Sequence, residues 1–142
     1  MLLAWSPAHA DPRLGDRAPE IPGVATKGVV VVDFFATWCG PCQEAMVALD
    51  QVLSRVGGVR LIVVDVGESA EVVRSFFKAH PLPRGGELVI DSSGELSRRF
   101  GQHRFPTTFL VGDGTIRHIN RGVGPGYAAR IEKWLRAMLI TE

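Results

Sequence analysis

Two cysteines close together are the feature that most constrains this chain. Cys39 and Cys42 are its only cysteines, and Gly40 and Pro41 lie between them. A helix-like apolar pattern follows, so the pair stands where a helix begins, with both sulfurs on one face of its first turn. Two sulfur atoms this near to each other can form a disulfide with little strain. The unpaired N–H groups and the positive dipole end of that helix favour the thiolate form of Cys39. The spacing therefore predicts two thiols that open and close as a unit.

Other uses of a Cys-x-x-Cys pair fit this sequence less well. A structural zinc site needs four ligands, but there is no second such pair, and the histidines are scattered at His9, His80, His103 and His118. Covalent haem attachment needs a histidine directly after the second cysteine, where this chain has Gln43. A purely structural disulfide across two residues closes too small a loop to stabilise a fold much. The sequence favours redox chemistry.

Two motifs carry a family resemblance. The first is V-V-D-F-F-A-T-W-C-G-P-C at residues 31–42, and the second is R-F-P-T-T-F-L-V at residues 104–111. Together they resemble the thioredoxin superfamily, and their residues are most similar to those of its bacterial TlpA/ResA-like branch. The resemblance covers residues 15–140. The resemblance implies a thioredoxin-like α/β fold. In that fold a central mixed β-sheet is flanked by helices, and a helix–strand insertion precedes the strand that follows a cis-proline.

The lengths of two segments refine this expectation. The chain between Asp65 and Pro106 is long enough to hold the helix–strand insertion that TlpA-like domains carry. Only a short segment separates Glu20 from Val29, so the β-hairpin that usually precedes the active-site strand in that branch is expected to be shortened or missing. The departure affects the family-specific surface and leaves the core of the predicted fold intact.

Hydrophobic periodicity predicts nine elements. Strands are expected at residues 29–35, 61–66, 87–90, 107–111 and 115–120, and helices at residues 41–56, 70–79 and 93–100 and from Tyr127 onward. Helix–strand alternation makes the first two strands parallel, and a Gly-Asp-Gly turn makes the last two an antiparallel hairpin. We expect Val72 on the buried side of the second helix and Trp134 in the core under the last one.

Asp33 interrupts the otherwise apolar first strand. An ionised carboxylate is costly to bury, so we expect its pKa to be raised and its carboxyl group to hold a proton readily. Asp33 lies six positions before Cys39, which is the spacing of the buried acid in thioredoxins. The resemblance implies that Asp33 moves a proton to and from Cys42 during exchange. The alternative is a carboxylate that only forms hydrogen bonds with nearby backbone.

The resemblance also implies a docking surface for partner proteins. It predicts a cis peptide bond before Pro106, which would expose the backbone of Phe105 beside the two cysteines, where an extended segment of a partner can pair with it. Trp38 would flank the cysteines on the same surface, together with Gly40 and Pro41. The alternative for Pro106 is a trans proline at the edge of a strand.

Length and composition indicate one domain. The 142 residues, 46% of them hydrophobic, provide one core, and a formal net charge of +1 gives no reason to expect binding to nucleic acid or to an anionic membrane. Residues 1–10 combine a short apolar run with Ala8-His9-Ala10, which resembles a signal-peptidase site. We interpret residues 1–10 as the remnant of a signal peptide and residues 11–142 as the domain.

These observations predict a thiol–disulfide oxidoreductase outside the cytoplasm, in the periplasm or an equivalent bacterial compartment. We expect it to reduce disulfides in partner proteins as a monomer, with no organic cofactor or metal beyond the redox-active Cys39–Cys42 pair. The resemblance implies apocytochrome c or copper-site assembly proteins as partners and a membrane thiol reductase as electron donor. The alternatives are a disulfide-forming oxidant of the same fold, a copper-binding chaperone that uses both cysteines, and a redox-inert binding module.

Overall fold

The computed structural model describes residues 10–141. The proposed signal-peptide remnant therefore lies outside the described residues, apart from Ala10. The strands are β1 Val29–Phe35, β2 Val59–Val66, β3 Gly86–Asp91, β4 Thr107–Gly112 and β5 Thr115–Arg121. The helices are α1 Gly40–Arg55, α2 Ala70–Ala79, α3 Glu95–Arg99 and α4 Tyr127–Thr141. All nine predicted elements are present, and their ends differ from the predicted ones by at most two residues. Within the described range, no helix is long and apolar enough to cross a membrane.

The strands form one mixed sheet in the order β3-β2-β1-β4-β5. β1 pairs in parallel with β2, and β2 in parallel with β3, while β4 is antiparallel to both β1 and β5. β1 occupies the centre, and all seven of its residues are buried. An unbroken apolar run gains this central position because both of its faces are covered. The arrangement is the thioredoxin-like α/β fold, which confirms the predicted fold class.

Side chains of β1 alternate between two hydrophobic layers. Val31 and Phe35 pack in the layer that contains the buried residues of α1 and α4. Val32 and Phe34 pack in the opposite layer, which α3 and the leading segment cover. Asp33 has the same parity as Val31 and Phe35, so its carboxyl group lies on the α1 side of the sheet.

The insertion and the shortened leading segment are also as expected. α2, β3 and α3 fill the chain between β2 and β4. Ser69 caps α2, since its hydroxyl accepts the N–H of Val72 at 3.3 Å. Ahead of β1, the described part of the leading segment holds only isolated bridges, from Arg17 to Thr115 and within residues 21–24, so the family's hairpin is missing there.

Two packing predictions were wrong. Trp134 is only half-buried: the buried stripe of α4 runs through Ile131 and Leu135, and the indole lies beside it, stacked on His118 with ring centroids 4.5 Å apart. Val72 is 48% exposed, and its neighbour Val73 is the residue buried in α2. In both helices fewer apolar side chains are fully buried than the apolar stripe in the sequence predicts.

We expect Leu49→Ala to lower the free energy of unfolding by about 2–5 kcal/mol, because Leu49 is fully buried between α1 and the sheet and its loss leaves a cavity. Val47→Ala on the same helix is the matched control. Val47 is 61% exposed, so its truncation should change stability by less than about 0.5 kcal/mol. Urea denaturation of the oxidised proteins measures both values. Equal losses for the two variants would contradict the assigned face of α1.

Candidate active site

The two cysteines lie at the start of α1, as predicted. Cys39 is the N-cap residue and Cys42 lies in the first turn, with Cα atoms 5.2 Å apart and the two sulfurs joined in a disulfide. The Cys39 Sγ accepts the backbone N–H of Cys42 at 3.1 Å. Gly40 and Pro41 are the first two helical residues, where the missing N–H of proline costs no helical hydrogen bond. In the reduced protein this N–H and the helix terminus favour the Cys39 thiolate.

Both cysteines are largely shielded from solvent. In the disulfide form Cys39 is 4% exposed and Cys42 is fully buried. Cys39 is covered because the N-cap position turns its side chain back over the first turn of α1 and toward the core. Of the two cysteines, only Cys39 borders the solvent.

The predicted docking residues surround this edge of Cys39. Trp38 is 70% exposed, and Gly40 and Pro41 are exposed beside it. The indole of Trp38 meets the ring of Phe105 edge to face, with centroids 5.3 Å apart. Trp38 and Phe105 therefore form one aromatic surface, although 67 residues of sequence separate them.

The peptide bond between Phe105 and Pro106 is cis, as predicted. Pro106 itself is buried, and its carbonyl oxygen accepts the N–H of Gly122 at 2.7 Å. Among the residues that the structure describes, no hydrogen bond involves the backbone N–H or C=O of Phe105. These groups are therefore open to pair with an added strand.

Asp33 is fully buried on the α1 side of the sheet. Burial raises the pKa of its carboxyl group to about 7, although the hydroxyl of Thr108 donates to Oδ1 at 3.0 Å and opposes the rise. Oδ2 has no hydrogen-bond partner among the described residues. By strand parity Asp33 lies on the same side of the sheet as Val31 and Phe35, which belong to the layer that contains Cys42. A carboxyl group with a pKa near neutrality in this position can exchange a proton at physiological pH.

A second buried carboxyl group was missed by the sequence reasoning. Asp65, in β2, is fully buried, and within residues 10–141 no N–H or hydroxyl group donates to its carboxyl oxygens. Burial and the neighbouring Glu68 carboxylate raise the pKa of Asp65 to about 8. The same signal that identified Asp33, a lone acid in an apolar strand, was present at residues 61–66.

Glu68 also ties the active-site loop to the rest of the fold. Its carboxylate accepts the backbone N–H of Thr37 at 2.7 Å and the Thr37 hydroxyl at 2.6 Å. Burial disfavours its charge, but the hydrogen bonds from Thr37 and from the Asp65 carboxyl group outweigh burial and lower the pKa of Glu68. The segment before Cys39 is thereby held to the loop between β2 and α2. Sequence spacing gave no signal for this contact.

The described histidines, His80, His103 and His118, each contact a side chain other than the two cysteines. The Nε2 of His103 lies 2.8 Å from the Asp11 carboxylate, His118 stacks on Trp134, and His80 ends α2 with its ring on Phe76. Across residues 10–141, no group of three His, Cys, Asp or Glu side chains is placed to hold a metal ion. The structure thus gives the copper-binding alternative no third ligand in that range.

Comparison with known proteins gives one family match. The model of the AhpC/TSA family matches residues 20–119. The thiol-disulfide oxidoreductase ResA of Bacillus thuringiensis subsp. konkukian is 29% identical over 120 residues, which cover 82% of this chain and 66% of that protein. The sporulation thiol-disulfide oxidoreductase A of Bacillus subtilis is 26% identical over 153 residues, covering 94% and 89%.

Solved structures agree with the fold. StoA from Bacillus subtilis has a TM-score of 0.64 and 26% identity, covering 75% of this chain and 81% of that one. A thiol:disulfide interchange protein DsbE from Chlorobium tepidum has a TM-score of 0.77 at 24% identity, covering 89% and 98%. At that identity the second likeness bears on the fold alone.

The two buried carboxyl groups predict that stability falls as the pH rises. Unfolded aspartate has a pKa of about 3.9, so both groups bind protons more tightly in the folded protein. Their contribution is full below pH 4 and is lost as the pH rises through about 7 for Asp33 and about 8 for Asp65. We expect Asp33→Asn and Asp65→Asn each to remove up to about 1.4 kcal/mol per pH unit from this slope.

Urea denaturation of the oxidised protein at pH 4–8 measures the slope. Asp50→Asn, which alters an exposed carboxylate on α1, is the matched control and should leave it unchanged. A free energy of unfolding that stays constant between pH 5 and pH 8 would contradict the presence of two buried carboxyl groups with raised pKa values.

Proposed function

Because the chain belongs to the AhpC/TSA family, and its relatives place it in the ResA-like branch of thiol–disulfide oxidoreductases, we propose that it reduces disulfide bonds in partner proteins. The observation that carries this proposal is the Cys39–Cys42 pair, which starts α1 on the sheet face that holds Asp33. A disulfide that opens there leaves one cysteine at the solvent edge, and the other buried beside a carboxyl group that can take its proton.

The first step is attack on the partner. The Cys39 thiolate attacks one sulfur of the partner disulfide, forms a mixed disulfide with it and expels the other partner sulfur as a thiolate. The helix terminus and the N–H of Cys42 favour the Cys39 thiolate. The accessibility of Cys39 over Cys42 supports its role as the attacking residue.

The second step releases the partner. The Cys42 thiol passes its proton to the Asp33 carboxylate, and the Cys42 thiolate attacks the Cys39 sulfur. The Cys39–Cys42 disulfide forms, and the second partner sulfur leaves as a thiolate. The partner has gained two electrons and the cysteine pair has lost two, so a dithiol donor must reduce the pair again before the next cycle.

The docking surface positions the partner for this exchange. We propose that an extended segment of the partner pairs with the free backbone groups of Phe105 and lies against Trp38. Gly40 and Pro41 line the other side of Cys39 without a bulky side chain. The partner disulfide is thereby brought to the single cysteine that borders the solvent.

The setting of the reaction is proposed by analogy with the ResA-like branch. We propose that the protein acts outside the cytoplasm of a bacterium as a monomer, with a membrane thiol reductase as electron donor. Its substrates would be protein disulfides such as those of apocytochrome c or copper-site assembly proteins. The reaction as written needs no organic cofactor or metal, and the net charge of +1 supports no role in nucleic-acid binding.

Substitution of each cysteine tests the mechanism. We expect Cys39→Ser to abolish reduction of a disulfide-containing protein such as insulin in the presence of dithiothreitol, because no nucleophile remains at the solvent edge. Cys42→Ser should accumulate the mixed disulfide, visible as a mass increase by mass spectrometry that dithiothreitol reverses. Asp33→Asn should slow release at neutral pH and leave the fold intact. Full activity of Cys39→Ser would overturn the proposed function.

The direction of exchange is tested by the reduction potential of the cysteine pair. Equilibration with glutathione or dithiothreitol buffers, followed by thiol trapping, measures it. We expect a value near or below about −250 mV, on the reducing side of the known scale. A value near about −120 mV would show a disulfide-forming oxidant and would overturn the proposed direction.

A further inference from the structure

Asp33 is the end of a buried chain of hydroxyl groups. Thr108, in β4, donates to Asp33 Oδ1 at 3.0 Å, and the Thr108 Oγ1 lies 2.8 Å from the hydroxyl of Tyr127. All three residues are almost completely buried. Tyr127 is the first residue of α4, so the chain joins the central strand of the sheet to the helix that packs beside α1. The reaction described above uses neither hydroxyl.

The direction of the hydrogen bonds follows from the number of protons. A threonine hydroxyl carries one hydrogen, and Thr108 gives it to Asp33. While Asp33 is ionised, the tyrosine hydroxyl must therefore donate to Thr108. Both donors are aimed toward the carboxyl group, and donors in series strengthen one another in a low-dielectric interior. Such a chain stabilises the ionised form of Asp33, whose charge burial disfavours.

The phenol of Tyr127 is suited to remain a donor. Burial and the neighbouring charge of Asp33 raise the pKa of Tyr127, so its hydroxyl keeps its proton throughout the working range. The chain also distinguishes the two oxygens of Asp33. Oδ1 is held by Thr108, whereas Oδ2 has no hydrogen-bond partner among the described residues and is left to receive a proton.

We propose that Tyr127 is a positioning residue for the exchange reaction: through Thr108 it stabilises the Asp33 carboxylate and leaves Oδ2 as the oxygen that takes the Cys42 proton. The inference rests on the proposed function, because it assigns Asp33 the proton of Cys42. In the transfer, the S–H bond of Cys42 breaks and an O–H bond forms at Oδ2. Tyr127 keeps its own proton and touches no reacting atom.

Other titratable groups on the surrounding elements define the controls. These groups are Cys39, Cys42 and Glu44 on α1, Asp65 on β2, and Arg130 on α4. The positive charge of Arg130 lowers the pKa of Tyr127 and so opposes the effect of burial. The Arg130 guanidinium donates to the Asn120 side chain at 2.8 Å. Asp65 points to the same side of the sheet as Phe35, its register partner. Its carboxyl group is the second one whose pKa is raised.

The test is the titration of the Asp33 carboxyl group itself. In the oxidised protein the cysteines do not titrate, so carbon-13 NMR of protein labelled at its aspartate residues follows the titration of Asp33 directly. The Asp33 resonance is the one that is missing from the spectrum of Asp33→Asn. Asp65→Asn separates the second buried carboxyl. We expect Tyr127→Phe to move the Asp33 midpoint upward by roughly 0.5 to 1 pH unit, because one hydrogen bond of the chain is lost.

Two variants of Thr108 keep the test independent of packing. Thr108→Val removes the hydroxyl that contacts Asp33 and should move the Asp33 midpoint upward by at least as much as Tyr127→Phe does. Thr108→Ser keeps a hydroxyl at this position, so the Asp33 midpoint should stay at its original value. Thr107→Val is the matched control, since the Thr107 hydroxyl bonds to the carbonyl of Arg104 and has no path to Asp33. It should leave the midpoint unchanged. Circular dichroism verifies that each variant is folded.

The rate at which Cys42 resolves the mixed disulfide gives the second readout. Its pH profile should move upward with the Asp33 midpoint in Tyr127→Phe. An unchanged or lowered midpoint in Tyr127→Phe would overturn the inference and leave the proposed function standing. Full activity of Cys39→Ser would overturn the proposed function, while the hydroxyl chain would still be measurable by NMR.

Discussion

The burial of Asp33 in the middle of the central strand is the constraint on which the rest of the site depends. A charged carboxylate there is costly, so the group titrates near neutrality instead of near pH 4. The same rise brings the carboxyl group into the pH range in which it can exchange a proton. β1 must be central for the carboxyl to be fully enclosed, and it is central because the rest of its residues are apolar.

The start of α1 places the two cysteines on the same side of the sheet as this buried carboxyl group. Cys39 caps the helix and Cys42 follows within the first turn, so one cysteine borders the solvent while the other faces the interior. Helix geometry thus gives the two cysteines different surroundings within four residues of sequence. The loop before Cys39 is held in turn by Thr37 and Glu68, which limits how far the first turn can move.

Buried polar groups at this end of the sheet differ in how they are satisfied. Asp33 has one oxygen bonded and one free, within a chain that runs through Thr108 to Tyr127. Asp65 receives no hydrogen bond from an N–H or hydroxyl group within residues 10–141, and Glu68 has two donors from Thr37. An unsatisfied buried carboxyl is destabilising, and such groups concentrate where a protein performs chemistry.

The sequence by itself determined the nine elements, the parallel β1–β2 pair, the β4–β5 hairpin, and the cysteine pair with the acid in β1, because periodicity, turn residues and short spacings are local properties. Tertiary structure alone decided the β2–β3 and β1–β4 pairings and which apolar residues are fully buried: Trp134 is half-buried against His118, and Val72 is exposed. It alone brought Thr108 and Tyr127 to Asp33. Contacts between residues distant in sequence depend on how strands and helices pack, and no local pattern encodes that packing.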